Sequence, residues 1–454
     1  MNINRKNIPE PSSKCSFSLP KIEEFKTGNS FNVIFVRKVN LPIIRFSYLS
    51  EIGSRIDPEN QKGLANLFGM VLDEGAGGLS AIELKEEFQL LGTNFSVNIN
   101  KDFSSLSFLS LKENFEKSLE LVSLILNKPE FEEQSFKREK GKILTSLQQV
   151  KDSADVIADL AFNNLIFDRK IPYAFPTAGY PDQINNLTIN DVTAFYSNFF
   201  KKSRPYLIAV GDFEKETLVK IIDDKLAHVK DNIELNNFQG KQISKNTSIF
   251  FVDKKDSVQS EIRIGHVTAR RNENDFYSKV ILNSILGGQF TSRLNHNLRE
   301  EKGYTYGVHS SFSYYKYAGT FYVTTSVATD YTAPAISEIM KELNKIQEGV
   351  NEEELNFAKS SIIKRFPANF ETYGQIAGNL SSKIKHSLPN NYFDNYLSRI
   401  AEVTSEDITD TALKNLSPDN AVIIVVGDKQ KILPQLKELK LGDITEVGIF
   451  GEEL

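Results

Sequence analysis

The sequence predicts an α+β fold of two duplicated domains, each a mostly antiparallel sheet packed with helices. One observation is a pair of similar apolar strings, Leu207-Ile-Ala-Val-Gly-Asp212 and Ile423-Ile-Val-Val-Gly-Asp428. Another is a helix start upstream of each string, at Thr188 and at Thr404. The two threonines and the two glycines are separated by the same distance, because 404 − 188 and 427 − 211 both equal 216. Two landmarks with one offset indicate an internal duplication.

The first half begins with two strands and a helix. Residues 31–37 and 43–49 are apolar and rich in residues that favour strands. Residues 58–73 carry apolar side chains at helical spacing, which predicts a helix. The Asp57-Pro58 pair is typical of a cap followed by a first-turn proline.

A hairpin and a closing strand complete each half. Residues 95–99 and 104–111 alternate between apolar and polar side chains and predict a hairpin, and helices follow to about residue 200. The string that ends at Asp212 is the closing strand. The second half repeats this order, with strands at 248–253 and 260–266, a helix at 274–286, a hairpin around Tyr315–Gly319, further helices, and a closing strand within the apolar run Ala421–Val426.

These elements divide the chain into four parts. Residues 1–20, rich in Pro, Ser, Asn and Lys, are expected to form a flexible tail. The N-terminal domain then covers residues 21–230 and the C-terminal domain residues 248–454. The polar stretch 231–247 between them is the expected linker.

Composition excludes several classes of protein. Among 454 residues, 54 Lys and Arg face 59 Asp and Glu, so no excess of positive charge favours nucleic acid as a partner. The single cysteine, Cys15, cannot form an internal disulfide. The N-terminal segment lacks the apolar core of a secretory signal, and no apolar run approaches about 18 residues. We therefore expect a cytoplasmic protein with no membrane partner.

Three short motifs resemble one peptidase family. Gly53-Ser-Arg55, Asp57-Pro58 and Gly63-Leu-Ala65 are similar to the pitrilysin/insulinase zinc metallopeptidases, and specifically to the two-chain branch that includes mitochondrial processing peptidase. The resemblance covers about residues 25–440, in both halves and in order. It implies that the two domains form half of a clam-shell chamber.

The zinc motif of that family is missing. Active members carry H-x-x-E-H, in which two histidines bind zinc and the glutamate activates a water. The resemblance aligns Asn66 with the first histidine, Gly69 with the glutamate and Met70 with the second histidine. Glycine has no ligand atom, an amide is a weak ligand, and a thioether suits softer ions than Zn²⁺. The third ligand of the family falls near residues 143–147, where no carboxylate stands. We therefore expect no metal in this chain and interpret these positions as helix packing.

A second signature of the family is present. The segments Leu286–Leu294 and Leu298–Val308 contain Arg299 and Tyr306, seven residues apart. In the family, this pair holds the scissile carbonyl and stabilises the oxyanion, which needs a fixed cation and a hydroxyl donor. Tyr304 stands where the family often has an aliphatic residue, so either tyrosine is a candidate for the cleft.

Two functional hypotheses follow from the resemblance. The first is the noncatalytic subunit of a heterodimeric zinc metallopeptidase, inactive alone, which lends Arg299 and Tyr306 to the active site of a partner. That partner is expected to be a homologous subunit that carries H-x-x-E-H and zinc, and the substrate a peptide. The alternative is a catalytically inert structural or peptide-binding scaffold, like the core subunits of respiratory complexes. A peptidase that acts alone is disfavoured by the missing ligands.

Overall fold

The predicted α+β fold of two duplicated sheets packed with helices is confirmed in the computed structural model. The structure describes residues 17–227, 233, 235, 238, 246–271 and 273–454. Residues 1–16 of the expected tail, most of the expected linker and His228 lie outside the described residues. The domain limits stay predictions.

Each half contributes one six-stranded sheet. In spatial order, the first sheet contains β1 (Ile22–Lys26), β2 (Asn32–Arg37), β8 (Tyr206–Gly211), β3 (Ile43–Ser50), β7 (Ser104–Leu111) and β6 (Asn94–Ile99). The second contains β11 (Thr305–Tyr314), β12 (Gly319–Ala328), β10 (Gln259–Thr268), β13 (Val422–Gly427), β9 (Ser248–Asp253) and β14 (Asp443–Glu446). A small ribbon pairs β4 (Gly75–Ala76) with β5 (Leu79–Ser80).

Helices follow the strands in both halves. They are α1 (Leu64–Val71), α2 (Ala81–Leu90), α3 (Phe115–Asn127), α4 (Glu133–Gln149), α5 (Ala154–Leu165), α6 (Pro181–Asn186), α7 (Ile189–Asn198), α8 (Lys215–Lys225), α9 (Glu273–Asn283), α10 (Arg293–Asn295), α11 (Thr332–Lys345), α12 (Glu352–Arg365), α13 (Tyr373–Lys385), α14 (Tyr392–Glu402), α15 (Ser405–Asn415) and α16 (Lys429–Leu439). Two π-helical turns, Ser284–Gly288 and His296–Glu301, follow α9 and α10. Among the described residues, no helix combines the length and the apolarity needed to cross a bilayer.

The predicted duplication is present in the order of the elements and in the spacing of several of them. β2 and β9 begin 216 residues apart (248 − 32), and so do β8 and β13 (422 − 206). Thr188 and Thr404 both close a capping box, at the start of α7 and of α15. Five strands keep the same order in both sheets, whereas the outermost strand beside β2 or β9 is β1 in the first and β14 in the second.

The two halves exchange one helix. α13 of the second half covers the first sheet, where Ile376 and Leu380 share a core cluster with Ile34 and Val210. α5 of the first half covers the second sheet, and its apolar side chains contact β13. Each sheet is therefore buried by a helix from the other half, a relation that the sequence did not predict.

The tip of the β11–β12 hairpin joins the halves at a buried carboxylate. The backbone N–H of Lys316 donates to Asp102 Oδ2 at 2.9 Å, and the Tyr173 hydroxyl donates to Oδ1 at 2.6 Å. Arg55 Nε lies 3.3 Å from the same carboxylate. The rings of Tyr173 and Tyr315 stack with their centroids 4.6 Å apart. Burial raises the pKa of Asp102, while these donors oppose the shift.

The first helix begins later than predicted. α1 starts at Leu64 rather than near Pro58, because Gly63 adopts a φ of 96° and turns the chain into the helix. Asp57 does act as a cap, but from a distance: its carboxylate accepts the backbone N–H groups of Gly63 and Ala65, both at 2.9 Å. Burial raises the pKa of Asp57 to about 7.

Candidate functional site

The position aligned with the water-activating glutamate, Gly69, lies against a neighbouring strand. Gly69 is buried in α1, and a Cβ atom built on it would lie under 3.0 Å from Cγ1 of Ile99 in β6. Met70 is partly buried and packs against the hydrophobic core of the first half. The side chain of Ile99 therefore occupies the space into which a residue at position 69 would project. Asn66, Gly69 and Met70 do not fit zinc, because they supply neither a histidine nor a carboxylate ligand.

The position of the third ligand offers no replacement. Ile143 and Leu147 face the core of the first half, whereas Thr145 and Ser146 are exposed on α4. Glu139, buried on the same helix, is already paired with Lys142 Nζ at 2.7 Å. Across the part of the chain that the structure describes, no group of three or more His, Cys, Asp or Glu side chains is placed to hold a metal.

The motif residues that the chain does retain have structural contacts. Gly53 lies so close to the β6–β7 turn that a Cβ would come within 2.5 Å of the carbonyl oxygen of Asn100. Arg55 pairs with Asp102, and Asp57 caps α1. The first half therefore retains Gly53, Arg55 and Asp57, which have structural contacts, and has no histidine or carboxylate at Asn66 or Met70, the positions aligned with the zinc-binding histidines.

Arg299 lies on the second π-helical turn with a partly exposed side chain. Its side chain is 35% exposed, and its Nε is 3.5 Å from Oε1 of the neighbouring Glu300. Its Cζ lies 4.3 Å from the centroid of the Phe290 ring. Among the described residues, the two terminal nitrogens of Arg299 have no hydrogen-bond acceptor. π-helical turns are rare and are frequent at functional sites.

Tyr306 projects from a β-bulge on the edge strand of the second sheet. The register of β11 against β12 shifts between Thr305 and Val308. The hydroxyl of Thr305 holds the bulge by accepting from the Gly307 N–H at 3.1 Å. A bulge re-aims the side chain that it carries, and Tyr306 is 93% exposed.

Tyr304, the other candidate tyrosine, is used in packing. Its ring stacks on Tyr331 with the centroids 4.7 Å apart, and it packs against the core of the second half. Its backbone N–H donates to the carbonyl of Leu298 at 2.9 Å. Tyr306 is therefore the tyrosine available to a ligand.

The side chain of Asn295 links β11 to the segment that follows the first π-helical turn. The sequence pattern does not identify this residue as part of the site. Its buried side chain accepts the Val308 N–H at 3.2 Å and donates to the Val308 carbonyl at 2.8 Å. It also donates to the Gln289 carbonyl at 3.3 Å. One side chain thus fixes the segments that carry Phe290, Arg299 and Tyr306. An asparagine near a helix start is too common for its spacing to reveal this.

The arrangement suits an oxyanion or a carbonyl oxygen. Arginine presents a rigid fork of N–H donors and stays charged, and the exposed phenol donates one further hydrogen bond. A buried nucleophile or a metal cluster is not found beside Arg299 and Tyr306 in the described ranges. The chemistry that the pair supports is binding and charge stabilisation.

Two family models match consecutive parts of the chain. The model described as Insulinase (Peptidase family M16) matches residues 49–169. The model described as Peptidase M16 inactive domain matches residues 186–362, which include Arg299 and Tyr306.

Curated relatives and solved structures agree with these matches. An uncharacterized zinc protease of Rickettsia felis is 24% identical over 409 residues, which is 89% of this chain and 96% of the relative. A non-peptidase homolog, YmxG, of Helicobacter pylori is 23% identical over 385 residues, 84% of this chain and 88% of the relative. A crystal structure of a peptidase M16 inactive domain from Pseudomonas fluorescens has a TM-score of 0.81 at 23% identity, and covers 90% of this chain and 98% of that one. The structural likeness concerns the fold alone.

Proposed function

Because this chain belongs to the insulinase family of peptidases, family M16, we propose that it is the noncatalytic subunit of a two-chain zinc peptidase. It lends Arg299 and Tyr306 to the active site of a homologous partner that carries H-x-x-E-H and zinc. The two chains together enclose a chamber that admits peptides. The description of the Helicobacter pylori relative as a non-peptidase homolog supports the noncatalytic part of this proposal.

One contrast carries the proposal. The residues aligned with the zinc motif, Asn66, Gly69 and Met70, include no histidine or carboxylate, whereas Arg299 and Tyr306 remain accessible. A tyrosine that is 93% exposed on an edge strand buries almost no surface, so it contributes little to folding. The terminal nitrogens of Arg299 have no hydrogen-bond acceptor among the described residues, so a role in folding stability does not explain them either. Both features are explained if a carbonyl oxygen of a substrate binds between them.

The fold offers an extended peptide two places to bind. β6 and β11 are edge strands, and an edge strand has free backbone groups to which a peptide can add as a further strand. β11 carries Tyr306, so a peptide along this edge lies next to its hydroxyl. Arg299 and Tyr306 then donate to the oxygen of the scissile carbonyl as negative charge develops on it. The partner supplies the metal and the residue that activates water.

A capture experiment tests the two-chain assembly. The tagged chain is isolated from its own cells and assayed for peptide hydrolysis with and without a chelator. We expect chelator-sensitive activity to arrive with a second chain of similar size, and neither chain to cleave alone. If the protein is captured alone and inert, the scaffold hypothesis replaces this proposal.

Substitutions in the assembled enzyme test the pair. Arg299→Ala and Tyr306→Phe are each expected to lower turnover about 10²–10³-fold, the cost of one oxyanion donor. Tyr304→Phe is the matched control, because it keeps the ring that stacks on Tyr331 and should leave turnover unchanged. Unchanged turnover in both test variants would exclude this role for the pair.

A further inference from the structure

We propose that Phe290 is a positioning residue that holds the guanidinium of Arg299 in the orientation needed for a peptide carbonyl. This inference rests on the proposed function of Arg299. The Cζ atom of Arg299 lies 4.3 Å from the centroid of the Phe290 ring, within the range of a cation–π contact. The ring is 63% exposed, so its place at the surface is not explained by core packing.

An aromatic ring suits this task better than a carboxylate does. A carboxylate would accept hydrogen bonds from the guanidinium N–H groups and thereby compete with the substrate. A ring contacts the face of the cation and leaves the N–H groups at its edge free. The only ion pair of Arg299 among the described residues involves Nε, at 3.5 Å from Glu300. The ring therefore restrains the cation and leaves its terminal donors available.

The chain fixes Phe290 through two glycines and Asn295. A Cβ on Gly287 would lie 2.6 Å from Oγ of Ser310 in β11, and one on Gly288 would lie 2.6 Å from Nδ2 of Asn283. Residues without a side chain therefore allow the turn to approach β11 at position 287 and the end of α9 at position 288. Asn295 then holds the carbonyl of Gln289, the residue before Phe290. The segment that leads into Phe290 is thus fixed on its N-terminal side.

Two substitutions of Phe290 distinguish the effect of its aromatic ring from the effect of an apolar side chain of similar size. Phe290→Leu keeps an apolar side chain without a π face, and Phe290→Tyr keeps the ring. In the two-chain complex captured on the tagged protein, kcat and KM are measured with a fluorogenic peptide that the complex cleaves. We expect Phe290→Leu to lower kcat about two- to fivefold, the size of an exposed cation–π contact, and Phe290→Tyr to retain it. Equal rates for Phe290→Leu and the unchanged protein overturn the inference.

A double-mutant cycle shows whether Phe290 acts through Arg299. We expect Phe290→Leu to have no further effect in the Arg299→Ala background, because the contact is already lost. An equal loss in both backgrounds overturns the inference. Phe357→Leu is the matched control: Phe357 is 55% exposed and lies on α12, and no cation–π contact joins it to Arg299 in the described part of the chain.

A chemical probe on the isolated chain separates this inference from the proposed function. Phenylglyoxal modifies accessible guanidinium groups, and mass spectrometry measures the rate at Arg299. We expect Phe290→Leu to react at least twofold faster than the unchanged protein and than Phe290→Tyr, with the same melting temperature. Equal rates overturn the positioning role. If the rates differ but Arg299→Ala leaves turnover of the complex unchanged, the contact stands and the proposed function fails.

Discussion

At the scale of single residues, Gly69 has a residue type that the sequence reveals and a contact that it does not. Sequence comparison predicts the absence of ligands at Asn66, Gly69 and Met70, because residue type alone decides which atoms can bind zinc. The proximity of Gly69 to the side chain of Ile99 could not be predicted, since it joins residues 30 positions apart (99 − 69) in a helix and a strand. Any side chain placed at position 69 would therefore require Ile99 to move.

Two helical glycines should respond oppositely to alanine. At Gly69, the added Cβ meets Ile99, and we expect Gly69→Ala to lower the free energy of unfolding by about 1–3 kcal/mol. At Gly141 in α4, nothing lies within 4 Å of the added Cβ among the described residues. We therefore expect Gly141→Ala to raise the free energy of unfolding by roughly 0.5–1 kcal/mol. Urea denaturation measures both. The Gly69→Ala cost should shrink on an Ile99→Ala background, and equal responses at the two glycines would contradict the contact.

His266 should make stability fall in acid. It is buried, its Nε2 accepts the Ser417 N–H at 3.1 Å, and burial lowers its pKa to about 4. In the unfolded chain the imidazole of His266 has a pKa near 6.5. Between about pH 6.5 and pH 4, this imidazole is therefore protonated in the unfolded chain and neutral in the folded protein. Stability is therefore complete above about pH 6.5 and is lost as the pH falls towards 4, with roughly 2 kcal/mol gone at pH 5.

The comparison of two proteins isolates the contribution of His266. Urea denaturation at pH 7.5 and pH 5 is performed on the unchanged protein and on His266→Gln, which does not titrate in this range. The drop in unfolding free energy should be smaller in the variant by about 2 kcal/mol. An identical drop would assign the acid sensitivity to other groups.

At the scale of elements, the local sequence pattern determines where a strand lies, whereas contacts between distant residues determine where a helix begins and where a bulge forms. The strands β2, β6, β7 and β13 match their predicted ranges closely, because alternation and continuous apolar runs are local properties of the sequence. The start of α1 was misplaced, because the carboxylate of Asp57 reaches across a turn to Gly63 and Ala65. The bulge at Tyr306 was not predicted either, since it depends on the register against β12.

Asn295 should be the most sensitive side chain of the candidate site. Asn295→Ala leaves the buried N–H and carbonyl of Val308 without partners, and we expect a loss of about 2 kcal/mol in unfolding free energy. The control is Asn163→Ala, whose exposed amide bonds only to the carbonyl of Asp159 in its own helix. Thermal or urea denaturation compares the two. A loss no larger at Asn295 than at Asn163 would contradict the clamp.

At the scale of the whole molecule, the sequence predicts the repeat but not how its halves contact each other. A helix with one apolar face must be covered, but its periodicity does not say by which sheet. α5 and α13 each cover the sheet of the other half, and the hairpin tip at Lys316 adds a polar contact at Asp102. Neither relation follows from the 216-residue offset.

The exchange predicts how the chain behaves when it is cut. A protein expressed as two fragments, 1–240 and 241–454, should form a stable 1:1 complex, because each fragment buries a sheet of the other. Either fragment alone exposes the apolar face that α5 or α13 covers and should aggregate. Size-exclusion chromatography of co-expressed and separate fragments measures this. Two soluble, independently folded monomers would contradict it.

The helix exchange also says something about ancestry. α5 begins at residue 154, and 154 + 216 is 370, close to the start of α13 at 373, so the two helices are the same element of the repeat. Before the duplication was joined into one gene, a half-length chain would have exposed the sheet that this helix now covers. Two identical copies that swapped the helix about a twofold axis would have solved the problem. The present chain then corresponds to a fused, domain-swapped dimer, and in a single chain the two halves can differ in sequence.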